Sequence, residues 1–386
     1  EYRAAVERGD YGTTILLLGG VGSGKTTFIH RFLRLTDKKF VEANCLWFSV
    51  PFTNAPLNPA EFGNFVRKTV IATLRERYPQ VDIRSAAAIA AIYQAELSEM
   101  ETGLWADLSE ADRVKRRIAL LERQIEASSH CDAVLKHIRR KGFAVTMVLD
   151  NVDQRIPEEQ IQIFLLAHEL CKSFDAIIIV ALREESYFRA AQAGAFNAYH
   201  NTRFHIASPN VSTLLRKRVT FALELSRRGA EEMREVLRTG ASFSSDEVTA
   251  FLHIVSRISP DTHGAIARFI DAVSYGNMRL ALEMFTQFMV SGATNVERML
   301  EHHRQGATWT VSEHEFIKAV MLGDFQFYRD SRSRVPNVFE VSSGAAASNL
   351  TQLRILRYLE ARRSQTHPEG MGFVPVDAML RVFADA

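Results

Sequence analysis

The sequence predicts an α/β fold: a three-layer domain built on a parallel sheet, followed by two all-α segments. Near-continuous apolar runs at Val145–Leu149 and Ala176–Leu182 are separated by a helix-patterned stretch at Glu158–Ser173, as parallel strands buried on both faces require. A short β-branched and aliphatic run, Thr13–Leu18, leads into a glycine cluster, and apolar residues at helical spacing follow over Phe28–Leu35. After a last strand at Arg203–Ala207 and Pro209, the pattern is helical to about Ser291. The grammar is strand, helix, strand, and then helices alone.

The elements follow in order. A second strand is predicted at Leu46–Val50, then a Pro- and Asn-rich loop over Pro51–Pro59 and a helix from Ala60 to Tyr78. Two further helices are expected before the third strand. One is the Ala-rich Ser85–Met100, and the other is a long charged helix that starts on the capping box of Ser109 and Asp112 and closes near Gly142. The sheet domain is expected to span residues 1–208 with a helical insertion at about 82–142, a helical lid residues 209–300, and the tail residues 301–386. Turns are expected at Gly229, Gly240, Pro260 and Gly276, and tail helices at Ser312–Leu322, Asn349–Arg363 and Val374–Ala384. The tail is winged-helix-like but incomplete, since the sequence stops where a third helix would begin.

Composition narrows the function classes. The chain has 386 residues, 47% of them apolar, enough for two or three domains with a large core. A net charge of +2 creates no global field for nucleic acid or an anionic membrane. Binding of that kind must therefore be local. Between Arg329 and Arg363 seven basic residues stand against three acidic ones, either a solvated helix face or a contact with DNA. The longest aliphatic run, Ile177–Leu182, is far short of the ~20 residues of a membrane span. No signal-peptide core is visible, and a cytoplasmic protein without membrane contact is expected. The sequence opens on Glu1 rather than Met, which leaves room for further chain upstream. Cys45, Cys131 and Cys171 form no C-x-x-C pair and are expected as small core residues.

The chemistry concentrates at Gly19-Gly20-Val21-Gly22-Ser23-Gly24-Lys25-Thr26, followed by Thr27. The run satisfies G-x-x-x-x-G-K-[ST] between a predicted strand and a predicted helix, the context in which this motif cradles phosphate. Glycines let successive N–H groups turn inward, and the positive end of the following helix adds to them. Lys25 is placed on the β- and γ-phosphates of ATP, and Thr26 on Mg²⁺. Asp150, closing the Val145–Leu149 strand, is the carboxylate expected opposite Thr26 as the second holder of Mg²⁺. Asn151 can orient a water but cannot take its proton, leaving Asp153 either as the base or as a second polar anchor. Arg183, after the Ile177–Leu182 strand, is placed at the sheet's carboxyl edge, either on the γ-phosphate or paired with Glu184 or Glu185. Arg279 falls in the first turn of a helix, where a cation opposes the helix dipole unless an anion is near.

These residues resemble the P-loop ATPases with a helical lid, which include the origin-recognition type of AAA+ proteins and the STAND signal-transduction NTPases. The resemblance covers about Tyr11–Ser291. It rests on the Gly19–Thr27 loop, on the string ending Asp150-Asn151-Val152-Asp153, on Arg183 after the next strand, and on Arg203–Pro209 leading into Leu214, Leu215 and Arg218. Gly276–Leu282 is similar to the sensor-2 segment of the former or the Gly-x-Pro-Leu-Ala-Leu helix of the latter, with Met278-Arg279 in place of Pro-Leu. Asn151 stands where AAA+ members keep Glu, and the inserted helices are additional.

The resemblance implies an ATP- and Mg²⁺-dependent switch, a slow ATPase in which nucleotide closes the lid and drives self-association or a complex with an effector chain, in signalling or antiviral defence. The alternative is a DNA-associated AAA+ ATPase of the origin-recognition or transposition type, with DNA contacted by the C-terminal region. A small-molecule kinase shares the loop but has no acceptor site legible in the sequence.

Overall fold

A computed structural model of the chain describes residues 2–8, 12–36, 38–192, 202–228, 245–256, 264–307, 311–323, 325–339, 350–367 and 370–383. The expected turns at Gly229, Gly240 and Pro260 lie outside the described residues; Gly276 is within them, at φ +78°. The chain divides into two compact units, residues 1–209 with 276–278, and residues 210–275 with 279–386.

The first unit carries five strands, β1 (Thr14–Leu18), β2 (Cys45–Pro51), β3 (Ala144–Asp150), β4 (Ile177–Leu182) and β5 (Thr202–His205). All pair in parallel in the order β2-β3-β4-β1-β5. β3 and β4 are buried at every residue, which explains their unbroken apolar sequences. β5 is exposed throughout, as an edge strand can be. The strand carrying the glycine loop and the strand ending in Asp150 are therefore not neighbours, because β4 lies between them.

Strand alternation sends residues to two cores. Ile15, Leu17, Val148, Ile177 and Ile179 meet α1 (Tyr2–Arg8), α2 (Lys25–Arg31) and α3 (Lys38–Asn44) on one face. A π-helical turn, Phe32–Thr36, joins the last two helices. Leu16, Leu18, Met147, Leu149, Val180 and Leu182 face the opposite way. There they meet α4 (Phe62–Arg77), the insertion's α5 (Ala86–Ile92), and α9 (Pro157–Phe174); of the other insertion helices, α6 (Gln94–Thr102) buries Leu97, while α7 (Glu110–Glu126) and α8 (His130–Arg140) join this core. Phe48, Phe52, Phe62, Phe164 and Phe174 are wholly buried in this core. At ~1.5–3 kcal/mol per buried large side chain they fix the sheet edge that carries the site. α10 (Glu184–Gln192) follows β4. Cys45, Cys131 and Cys171 are buried free thiols, as expected of core residues.

The insertion departs from the sequence expectation, with four helices where two were predicted. The Ala-rich helix breaks at Tyr93, which is 3% exposed and turns inward to hydrogen-bond His130. The charged helix starts on Ser109 as predicted, with Ser109 Oγ accepting from the Asp112 N–H at 3.2 Å. It ends at Ala127, whose backbone is extended (ψ 145°), and α8 begins at His130.

The second unit is helical in its first part: α11 (Val211–Arg228), α12 (Ser245–Ser256), α13 (Ala265–Ser274), α14 (Met278–Val290, from Arg279 onward), α15 (Val296–Arg304) and α16 (Glu313–Leu322). Ile270, Met284, Phe288, Met299 and Phe316 form its interior. In the tail, α17 (Thr351–Ala361) and α18 (Val376–Phe383) flank a short antiparallel pair, β6 (Thr366–His367) and β7 (Gly370–Met371), so the tail is not wholly helical. Two-residue strands are below the length at which sequence alternation can be read.

Candidate functional site

The carboxyl edge of the sheet assembles the site. β1 pairs with β4 at Leu18↔Leu182 and β4 with β3 at Val180↔Leu149, so Gly19, Arg183 and Asp150 emerge side by side. Gly22 (φ +69°) and Gly24 (φ +95°) take left-handed backbone conformations that other residues adopt only under strain, and Gly24 leads directly into α2. Gly19 is needed for space: a Cβ there would lie 2.7 Å from Ser23 Oγ and 2.9 Å from the Ile206 carbonyl oxygen.

Lys25 is folded back across the loop. Its Nζ donates to the carbonyls of Gly19 at 2.8 Å and Gly20 at 3.0 Å and stands 3.8 Å from Asp153 Oδ2. Burial pushes its pKa down, opposed by the nearby Asp153 carboxylate. A cation already stripped of water loses little more on meeting a phosphate. Thr26 Oγ1 donates to Asp150 Oδ1 at 3.1 Å, bringing a hydroxyl and a carboxylate from two separate elements to one point.

Asp150 Oδ1 also accepts from the Asn151 N–H at 2.9 Å. Asn151 adopts the left-handed conformation (φ 57°), which Asn tolerates better than most residues, and its Oδ1 takes a 3.4 Å bond from Gln154 Nε2. The turn buries Val152 completely and swings Asp153 toward the loop. Asp153 Oδ2 accepts from Arg183 Nε at 3.0 Å. Arg183 thus pairs with Asp153, a partner the sequence reading did not consider, while Glu184 is engaged by His205.

Of the residues singled out in the sequence, Gly20 to Thr26, Asp150, Asn151, Asp153 and Arg183 converge on this edge. Thr27 lies one residue further along α2, exposed. Arg279 is the second residue of α14, exposed, and belongs to the other unit. Two contacts were not legible beforehand. The Met278 N–H donates to the Gly22 carbonyl at 3.2 Å, and Ser208 Oγ donates to the Gly276 carbonyl at 2.5 Å. Both hold residues 276–278 to the sheet unit, and the first is a backbone bond, which no residue type announces.

The residues present fit a polyphosphate with a divalent cation. Ser23 Oγ is buried with no hydrogen-bond partner, an orphan inside a loop of N–H groups at a helix start. Thr26 and Asp150 offer two oxygen ligands, the small protein share typical of Mg²⁺ that arrives with phosphates. Among the described residues no group of three or more His, Cys, Asp or Glu could hold a metal alone. Nor is any described helix long and apolar enough to cross a membrane.

The family described as the KAP family P-loop domain matches residues 7–295. No curated protein sequence matches the chain. Among solved structures, Cdc6p from Pyrobaculum aerophilum is similar at 13% identity and a TM-score of 0.34, over 99% of this chain and 91% of that one. The ORC2 protein of Aeropyrum pernix in its ADP form is similar at 12% identity and a TM-score of 0.38, over 99% and 92%.

Proposed function

The chain belongs to the KAP family of P-loop domains, and from that premise we propose that it is a nucleotide-dependent molecular switch that binds ATP with Mg²⁺ and hydrolyses it slowly. The N–H groups from Gly20 to Thr27 and the Lys25 ammonium hold the phosphates, and Thr26 with Asp150 holds the cation. Held there, the cation would shield the phosphate charge and supply Lewis-acid polarisation of the leaving oxygens. Asn151 orients water, Asp153 takes its proton, and Arg183 and Arg279 meet the terminal phosphate. Slow turnover follows from Asp153 being engaged by Arg183 and from the lack of a carboxylate at position 151.

The backbone bond between Met278 and Gly22 carries this reading. It ties the first residue of α14 to the loop that wraps the phosphates, and the next residue, Arg279, belongs to the second unit. A change of loop backbone on nucleotide binding is therefore felt where the chain passes from one unit to the other. The ligand shifts the equilibrium only by its differential affinity for the two arrangements, and Arg279 supplies that difference through the γ-phosphate. The ATP form then associates with itself or with an effector chain in a signalling or defence role. The deciding experiment measures the particle mass with ATP, with ADP and without nucleotide: growth with ATP alone supports the switch, and one mass throughout overturns it.

A second reading, a DNA-associated ATPase of the origin-recognition type, draws support from α17, which has no buried residue and carries Arg354 and Arg357. DNA binding that weakens steeply with salt and is lost with both arginines would favour it.

A further inference from the structure

Away from the glycine loop, a cavity of about 490 Å³ lies beside Trp47, and one of about 430 Å³ lies between α4 and the joint of α7 and α8. The second is the more specific. His130, 7% exposed, lines it, with its Nδ1 bonded to the Tyr93 hydroxyl at 2.8 Å and, among the described residues, no hydrogen bond at Nε2. His130 opens α8, an 11-residue helix whose start is capped by no side chain and whose first N–H donates to the Ala127 carbonyl at 3.0 Å. On α4, Lys68 and Arg75 line the same cavity two turns apart and have no acidic partner among the described residues. Arg67, also on its wall, is neutralised by a two-point bond to Asp132, at 2.7 and 3.1 Å. Glu126 is the one acid on the lining, and Ile71 and Ile125 supply an apolar side.

Burial, and then the nearby Arg75, push the His130 pKa down, so the charge of the cavity comes from Lys68 and Arg75 against one carboxylate, and a dianion can meet both cations where a monoanion meets one. The volume leaves room for an organic body beside the charged group, against the isoleucines. We propose that this cavity is a second anion site, separate from the glycine loop, which binds a small phosphate monoester and thereby fastens the inserted helices to α4. No residue of the loop lines it.

Phenyl phosphate serves as the probe, titrated calorimetrically into the full chain carrying Lys25→Ala, so that the glycine loop does not contribute. Binding is expected to weaken at least about tenfold on adding Lys68→Ala and Arg75→Ala together, since each removes a charge-assisted contact. Both side chains are exposed, and an unchanged melting temperature reports that the fold survives. Glu126→Gln is expected to tighten binding severalfold. Benzoate, with the same ring and one charge, is expected to bind at least about tenfold more weakly than phenyl phosphate. The proposal is overturned if phenyl phosphate does not bind at millimolar concentration, if the double substitution leaves its affinity unchanged, or if benzoate binds as well.

Discussion

Asp153 and Arg183 are joined by a 3.0 Å hydrogen bond from Nε to Oδ2, and the same oxygen lies 3.8 Å from Lys25 Nζ. One carboxylate is thus counter-ion to two cations that the proposed function assigns to phosphate. A triphosphate entering the loop competes with Asp153 for both, and the carboxylate it frees is the group proposed as base. Asp153→Asn is therefore expected to bind ATP at least as well as wild type while turnover falls by a factor of ~10²–10⁴. Equal single-turnover rates in the two proteins would leave Asp153 as an anchor only.

Lys25→Ala tests the loop itself. The ammonium's protein partners are two loop carbonyls and Asp153, so its removal is expected to leave the fold intact. ATP and ADP affinity should both fall ~10–100-fold, the worth of a charge-assisted contact of ~1.5–3 kcal/mol. A folded variant with wild-type affinity in equilibrium dialysis would remove the phosphate assignment.

Asp150→Ala separates metal from phosphate. Because Thr26 and Asp150 meet at 3.1 Å, losing the carboxylate should abolish the Mg²⁺ dependence of ATP binding and leave metal-free binding near wild type. Titration of Mg²⁺ at fixed ATP reads this directly. An unchanged Mg²⁺ midpoint would place the cation elsewhere.

The contiguous parts of this site were legible in the sequence, because a strand, a glycine loop and a helix start are local and each has a residue-type signature. Asp150 was legible because it closes an apolar strand. The partner of Arg183 was not, since β4 is inserted between β1 and β3 and only the strand order brings Asp153 and Arg183 together. The insertion was misread for another reason. Helical periodicity runs through Tyr93 and Ala127; the first break goes with the buried Tyr93–His130 pair, a tertiary contact, and the second with the extended backbone of Ala127. The Met278 bond to Gly22 leaves no trace in residue type at all.

Burial within the insertion shapes the pH response. Burial pushes the Cys131 thiol up to about 12, and the Tyr93 hydroxyl likewise to about 12. Both groups stay neutral in the folded chain while the unfolded chain ionises from ~pH 9 for the thiol and ~pH 10 for the phenol. Their contribution is complete below those values and is lost as pH rises toward 12. Urea-unfolding free energies measured from pH 8 to 11 should fall with a slope of up to ~1.4 kcal/mol per unit for each group. Cys131→Ala should lower stability at pH 8 yet flatten that slope, and parallel wild-type and variant curves would contradict the assignment.

The last prediction concerns the passage from Met278 to Arg279. Met278 is the first residue of α14, a position where proline is tolerated, so Met278→Pro deletes the N–H that reaches Gly22 without breaking the helix. Its buried side chain is also changed, and Met278→Leu, which keeps the N–H, controls for that. If the backbone bond couples loop to helix, Met278→Pro should keep ATP affinity within a few-fold and lose ATP-induced assembly, while Met278→Leu keeps both. Arg279→Ala acts on the ligand side of the same coupling. ADP lacks the γ-phosphate and should bind it as it binds wild type, whereas the preference for ATP should fall ~10–100-fold, the equivalent of a ~1.5–3 kcal/mol contact made only in the ATP form. Wild-type assembly in Met278→Pro together with a wild-type ATP to ADP ratio in Arg279→Ala would mean that neither residue transmits nucleotide state, and the switch would have no connection through this segment.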